Sequence, residues 1–142
     1  MRHDVVSVIY QHYNLFPLLT VQENIRYLPG MKKLPKSEIA ALAQEARERV
    51  GLPASYDDRL PSQLSGVEQQ RVAIARTLAA RSRIILADEP TGNLDSTNTC
   101  NIVEILRSLA HDDGCTVIIV THDPAVAEQS DAVLQMKDGA WL

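Results

Sequence analysis

The aliphatic run Ile84-Ile85-Leu86-Ala87 leads directly into two carboxylates, Asp88-Glu89, and a second β-branched run spans Thr116 to Thr121. The first run is too short for a helix and has no polar alternation, so it reads as a strand buried on both faces. Between the two, Ser96 can cap a helix whose inner face carries Ile102, Ile105, Leu106 and Leu109, closed by Asp113-Gly114. Strand, helix and strand in that order form a βαβ unit, which requires a parallel sheet and a right-handed crossover. The carboxyl edge of such a sheet is where α/β folds bind ligands.

The rest of the chain adds a strand and several helices. Val5 to Tyr10 reads as a buried strand. Thr20-Val21-Gln22-Glu23 is a capping box that opens a short helix reaching Tyr27, with Pro29-Gly30 expected to break it. Ile39, Leu42, Ala43, Ala46 and Val50 recur at helical spacing until Gly51 and Pro53 stop them. Ser65-Gly66-Val67-Glu68 is a second capping box, followed by a stripe of Val72, Ala75, Leu78 and Ala79 on a helix ending near Ala80. Asp123-Pro124 supplies an N-cap and a first-turn proline, Ala132 to Met136 reads as a strand, and Lys137-Asp138-Gly139 as a hairpin turn.

Composition narrows the function classes. With 45% hydrophobic and 23% charged residues over 142 positions, the chain has globular proportions and length for one core. A net charge of −4 has the wrong sign for a protein that holds nucleic-acid phosphates, so no nucleic-acid partner is expected. Aliphatic stretches such as Val117 to Val120 fall far short of a membrane span, and the first residues lack the pattern of a secretory signal. A cytoplasmic location is expected. Cys100 and Cys115 have neither zinc-ligand nor disulfide-framework spacing and read as free thiols.

Six residues can carry chemistry at the sheet edge or beside it. Adjacent residues on a strand point in different directions, so one of Asp88 and Glu89 can face a magnesium ion while the other orients or deprotonates a water. His122 closes the next parallel strand and can hydrogen-bond a terminal phosphate, or be satisfied by loop backbone. Gln11 follows directly on a strand, and its neutral amide can touch both a metal-bound water and a phosphate. Ser65-Gly66 opens a capped helix whose free N–H groups suit an anion, though capping alone also explains them.

Taken in this order, the residues resemble the ATP-binding subunit of ABC transporters. Gln11 in Tyr10-Gln11-His12 resembles the Q-loop, and Leu64-Ser65-Gly66-Val67-Glu68-Gln69-Gln70 the signature. The stretch Ile84 to Glu89 resembles the Walker B strand, Gly92-Asn93-Leu94-Asp95 the D-loop, and His122 the switch histidine. The run Leu86 to Asp95 is most similar to the branch serving lipoprotein release, macrolide export and cell division. The resemblance implies an α/β, P-loop NTPase-like ABC ATPase fold, incomplete, with a parallel sheet core and an α-helical subdomain. Residues 1–11 would supply a core strand and the start of the Q-loop, 12–80 the helical subdomain and signature helix, and 81–142 a RecA-like part of the core.

It further implies ATP and Mg2+ as cofactors. Asp88 would hold magnesium, with Gln11 sensing the metal and the attacking water; Glu89 would be the general base and His122 would contact the γ-phosphate. Ser65, Gly66 and Glu68 would act at the signature, in trans, and Asp95 would couple two halves of a nucleotide sandwich. The implied partners are a second ABC ATPase subunit and membrane-spanning permease subunits, the latter met by the helical region that includes 12–17, at the inner face of the membrane. Two departures qualify this. No glycine is followed by lysine, so the GxxxxGK[ST] phosphate loop is not among these residues, and the chain matches the carboxyl-terminal two-thirds of such a domain. Alone, it is expected to bind ATP no tighter than millimolar. Val67 stands where the signature usually has a second glycine, which would crowd the phosphate and exclude positive φ. The competing expectations are a non-catalytic module that lends its signature to a complete partner, and an ABC-type ATPase acting on DNA or translation.

Overall fold

A computed structural model describes residues 6–142. Three parallel strands, β1 (Val6–Ile9), β2 (Ile84–Asp88) and β3 (Thr116–Val120), form a sheet with β2 in the centre. Val8, Leu86 and Ile118 stand side by side across it, as do Ile9, Ala87 and Ile119. The strand expected over Val5 to Tyr10 covers Val6–Ile9, with Tyr10 already outside it and Val5 outside the described residues; like β2 it is covered on one face, at Ser7 and Ile9, while Val6 is 46% exposed.

Between β1 and β2 the chain folds into α1 (Val21–Met31), α2 (Lys36–Arg49) and α3 (Gly66–Ala79). The helix α4 (Ser96–His111) joins β2 to β3, and a short α5 (Pro124–Ala127) follows β3. α3 and α4 lie on one face of the sheet, and α1 and α2 pack on α3. One apolar core runs through these layers, from Ile9, Ile85 and Ala87 on the sheet through Ile74, Ile102, Leu106 and Leu109 to Val21 and Ile25.

Local chemistry accounts for most element ends. Thr20 accepts the Glu23 amide at 3.2 Å while the Glu23 carboxylate accepts the Thr20 amide at 2.8 Å, and Ser65 and Glu68 repeat the arrangement at α3. Asp123 caps α5 with Pro124 as its first residue. Asp138 and Gly139, at φ 51° and 79°, make the two-residue turn between β4 (Met136–Lys137) and β5 (Ala140–Trp141).

Four further expectations are corrected. β2 is buried on one face only: Ile85 and Ala87 are covered, but Leu86 is 37% exposed beside Ile118 at 48%. The cause is that, among the described residues, helices cover a single side of the sheet. α1 continues through Pro29-Gly30 to Met31, because a proline in the last turn removes only one ladder bond and its ring is buried here. The N-cap of α4 is Asp95 rather than Ser96, since the Asp95 carboxylate accepts the Asn98 amide at 2.8 Å. The final strand covers two residues, Met136 and Lys137, rather than Ala132 to Met136, its length being set by the two-residue partner β5.

Candidate functional site

The carboxyl edge of the sheet gathers Asp88, Glu89, His122 and Gln11. Asp88 ends β2 with its side chain exposed and in no hydrogen bond or ion pair among the described residues. Glu89 follows in the left-handed region, at φ 45°, held by its amide donating to the Val120 carbonyl at 2.8 Å. A non-glycine residue there costs about 1 kcal/mol or more, a strain typical of functional positions. The turn swings the Glu89 carboxylate toward β3, where it is about four-fifths covered while the His122 ring remains open.

Three groups converge on that carboxylate. His122 Nδ1 lies 2.6 Å from Glu89 Oε1, the His122 amide donates to the same oxygen at 3.0 Å, and the Thr121 hydroxyl donates to Oε2 at 3.3 Å. The hydrogen bond to Glu89, followed by the charge of that carboxylate, raises the His122 imidazole above its ordinary value. Thr121 is the member of this set that sequence reasoning passed over; its place beside His122 was the available signal.

Gln11 leaves β1 and approaches the same edge from the other side of β2. A Cβ placed on Gly92 would stand 2.8 Å from Gln11 Nε2, so the missing side chain lets the amide lie against the turn after Glu89. Asn93 Nδ2 donates to the Gln11 carbonyl at 3.5 Å. The following turn holds Tyr13 and Asn14 at φ 65° and 51°, and buried Arg76 of α3 donates to both carbonyls, at 3.2 and 2.8 Å. Burial lowers the Arg76 guanidinium from its usual value.

Ser65, Gly66 and Glu68 stand at the amino end of α3, where a Cβ on Gly66 would lie 2.9 Å from the Tyr13 hydroxyl. Ser65 and Gly66 are exposed, and the Gly66 and Val67 amides donate to no acceptor among the described residues. Val67 is helical, so the expected exclusion of positive φ does not arise there, while its branched side chain does stand beside those free amides. Glu68 is lowered from its ordinary value, first by the Ser65 backbone amide and, against a desolvation effect, by the Tyr56 hydroxyl. Gln70, fully buried, ties α3 to the sheet edge by donating to the Pro90 carbonyl. Asp95 spends both oxygens on Asn98, at 2.8 and 3.0 Å, as the cap of α4.

The described residues contain no group of three or more metal-ligating side chains. One free carboxylate at a strand end suits magnesium that keeps waters and phosphate oxygens as its other ligands, and does not suit an all-protein metal cage. Asp88 fits that role. Cys100 and Cys115 are both free thiols.

Comparison with known proteins identifies the family. A macrolide export ATP-binding/permease protein, MacB of Aggregatibacter actinomycetemcomitans, is 42% identical over 139 residues, which cover 98% of this chain and 21% of that protein. An uncharacterized ABC transporter ATP-binding protein of Mycobacterium tuberculosis is 39% identical over 141 residues, 99% of this chain and 56% of its own length. Among solved structures, the dimeric post-hydrolysis state of the ATP-binding cassette MJ0796 bound to ADP and Pi superposes with a TM-score of 0.85 at 40% identity, over 97% of this chain and 61% of that one. MJ0796 comes from Methanocaldococcus jannaschii. The chain thus spans less than two thirds of the length of these relatives. The family model described as ABC transporter matches residues 1–92, and with these similarities it shows that the chain belongs to the ABC transporter ATP-binding family.

Proposed function

We propose that the chain is the greater part of an ATP-hydrolysing subunit that couples Mg-ATP hydrolysis to transport by permease subunits. The observation that supports this best is the Glu89–His122 pair, 2.6 Å apart and next to the free carboxylate of Asp88. Magnesium, when bound, neutralises charge on the nucleotide phosphates, and Asp88 is the residue that would hold it through water. Glu89 would accept the proton of the attacking water. It can do so only when its carboxylate turns outward, so His122 and Thr121 set the position from which the base works. His122, mostly solvent-exposed, can then donate to a terminal phosphate, and Gln11 would contact both the metal shell and the water.

Ser65, Gly66 and Glu68 would serve a second subunit. The amides at the amino end of α3, which find no acceptor among the described residues, suit nucleotide held mainly by a partner in a head-to-tail pair, with Asp95 near the contact between halves. Residues 1–11 and 81–142 would form the catalytic edge, and 12–80 the arm that meets the permease. Exposed Phe16, Leu18, Tyr27 and Met31, with the Phe16 and Tyr27 rings in tilted contact at 4.4 Å between centroids, give that arm an apolar contact surface. Attachment to the inner face of a membrane would run through that surface; no helix among the described residues is long and apolar enough to cross a membrane.

The test is phosphate release by the chain assembled with a segment carrying GxxxxGK[ST]. Loss of a positioned general base costs about 10²–10⁴ in rate, so Glu89→Gln should abolish turnover while Mg-ATP still binds. Turnover that survives Glu89→Gln would overturn the catalytic assignment. The second reading, a module that only lends α3 to a complete partner, is favoured by the two free amides. It requires that the partner's ATPase rate change on addition of the Glu89→Gln chain.

A further inference from the structure

A cavity of about 290 Å³ opens at the edge of the sheet opposite Asp88 and Glu89, bounded by α2, the end of α3 and the starts of β2 and β3. Its apolar side is formed by Leu42, Leu78 and Leu109, and its polar side by Arg49, Arg81 and Arg83. We propose that this cavity binds a small amphipathic carboxylate with an aliphatic tail.

The charge arrangement selects an anion. Arg49 is paired with Asp113 at 2.6 Å, whereas Arg81 reaches Glu45 only at 3.5 Å with both side chains largely exposed. Arg83 makes no ion pair or side-chain hydrogen bond among the described residues. Three guanidiniums therefore face two carboxylates, and a planar fork beside an apolar wall is suited to a carboxylate head with a hydrocarbon tail. An ammonium head would be repelled.

The backbone adds an independent observation. Arg81 follows the cap of α3 at φ 52°, a position where helices usually place glycine. An arginine held in that conformation at a cavity rim is the kind of local strain found at ligand clamps. Pockets for small molecules run from about 300 Å³ upward, so this cavity lies at the small end of that range and suits a compact ligand with a short aliphatic tail. Cys115 lines the same cavity, half-buried, with its thiol directed to the Ser82 carbonyl at 3.4 Å.

Calorimetric titration of the chain with decanoate, decylammonium and decanol, each below its aggregation concentration, tests this. Decanoate should bind at least about tenfold more tightly than either of the others. Arg83→Ala and Arg81→Gly should each weaken decanoate by about fivefold or more, and Arg81→Gly should at the same time raise Tm, because glycine relieves the left-handed backbone. Decanoate should also slow alkylation of Cys115 while leaving exposed Cys100 unchanged. Equal binding of all three probes, indifference to both arginine substitutions, or an unprotected Cys115 would each refute the site, the first two pointing to adsorption on the open sheet face.

Discussion

Two capping boxes of the same geometry sit at α1 and α3, and this duplication allows stability to be separated from function. Thr20→Ala and Ser65→Ala each delete one hydroxyl acceptor, at 3.2 Å from the Glu23 amide and 3.3 Å from the Glu68 amide. Loss of such a cap costs about 1 kcal/mol, and for a domain of this size that corresponds to about 3–4 °C in Tm. Urea unfolding followed by circular dichroism should therefore show near-equal losses for the two variants. Only Ser65→Ala alters the amino end of α3, so only it should lower ATP turnover in an assembled complex. Acid provides a second readout at the same place. Glu68 is lowered in the folded state, so its contribution is present above the unfolded carboxyl value and is lost as pH falls through the folded one. The gap in stability between the wild type and Glu68→Ala should therefore be full near neutrality and close at acid pH. A loss below about 0.3 kcal/mol for Ser65→Ala, or a gap that does not change with pH, would refute the capping account of α3.

Three other outcomes follow from the geometry. His122 should titrate above the ordinary histidine range in nuclear magnetic resonance and return toward it in Glu89→Gln; since its folded value is raised, the pair's contribution is full below the unfolded value and fades as pH rises through the folded one. Gly92→Ala should leave stability within about 0.5 kcal/mol, because the new Cβ crowds the flexible end of Gln11 while the Glu89 carbonyl, at 3.5 Å, is at ordinary contact distance, yet it should shift the Gln11 side-chain amide resonances. Leu106→Ala, at a core position 1% exposed, should cost about 2–5 kcal/mol in urea unfolding and lower the yield of folded chain.

Most of the sheet edge was legible in the sequence because strand, carboxylate pair and histidine follow a fixed order that the parallel register brings together. The two capping boxes were legible for a different reason: their hydrogen bonds close within four residues. What escaped was decided by distant parts of the chain. Leu86 lies on an open face because of where the helices pack, which the strand's own composition does not encode. The clamp of Arg76 on Tyr13 and Asn14 spans 63 and 62 positions, so no local pattern announces it. At Asp95, two good capping residues stand side by side, and the carboxylate takes the cap while Ser96 becomes the first helical residue.

The Ser7 and Ser82 hydroxyls meet at 2.5 Å although they are 75 positions apart in the chain. β1 thus pairs with a strand made long after it. At synthesis rates of about 5–20 residues per second, β1 waits roughly 4–15 s for β2. The β2–α4–β3 unit, by contrast, closes over a short separation and can assemble as soon as it is made. Docking of β1 is then the late, topology-limited step of folding. During that interval a nascent-chain chaperone has most to protect at the strand that leads into Gln11.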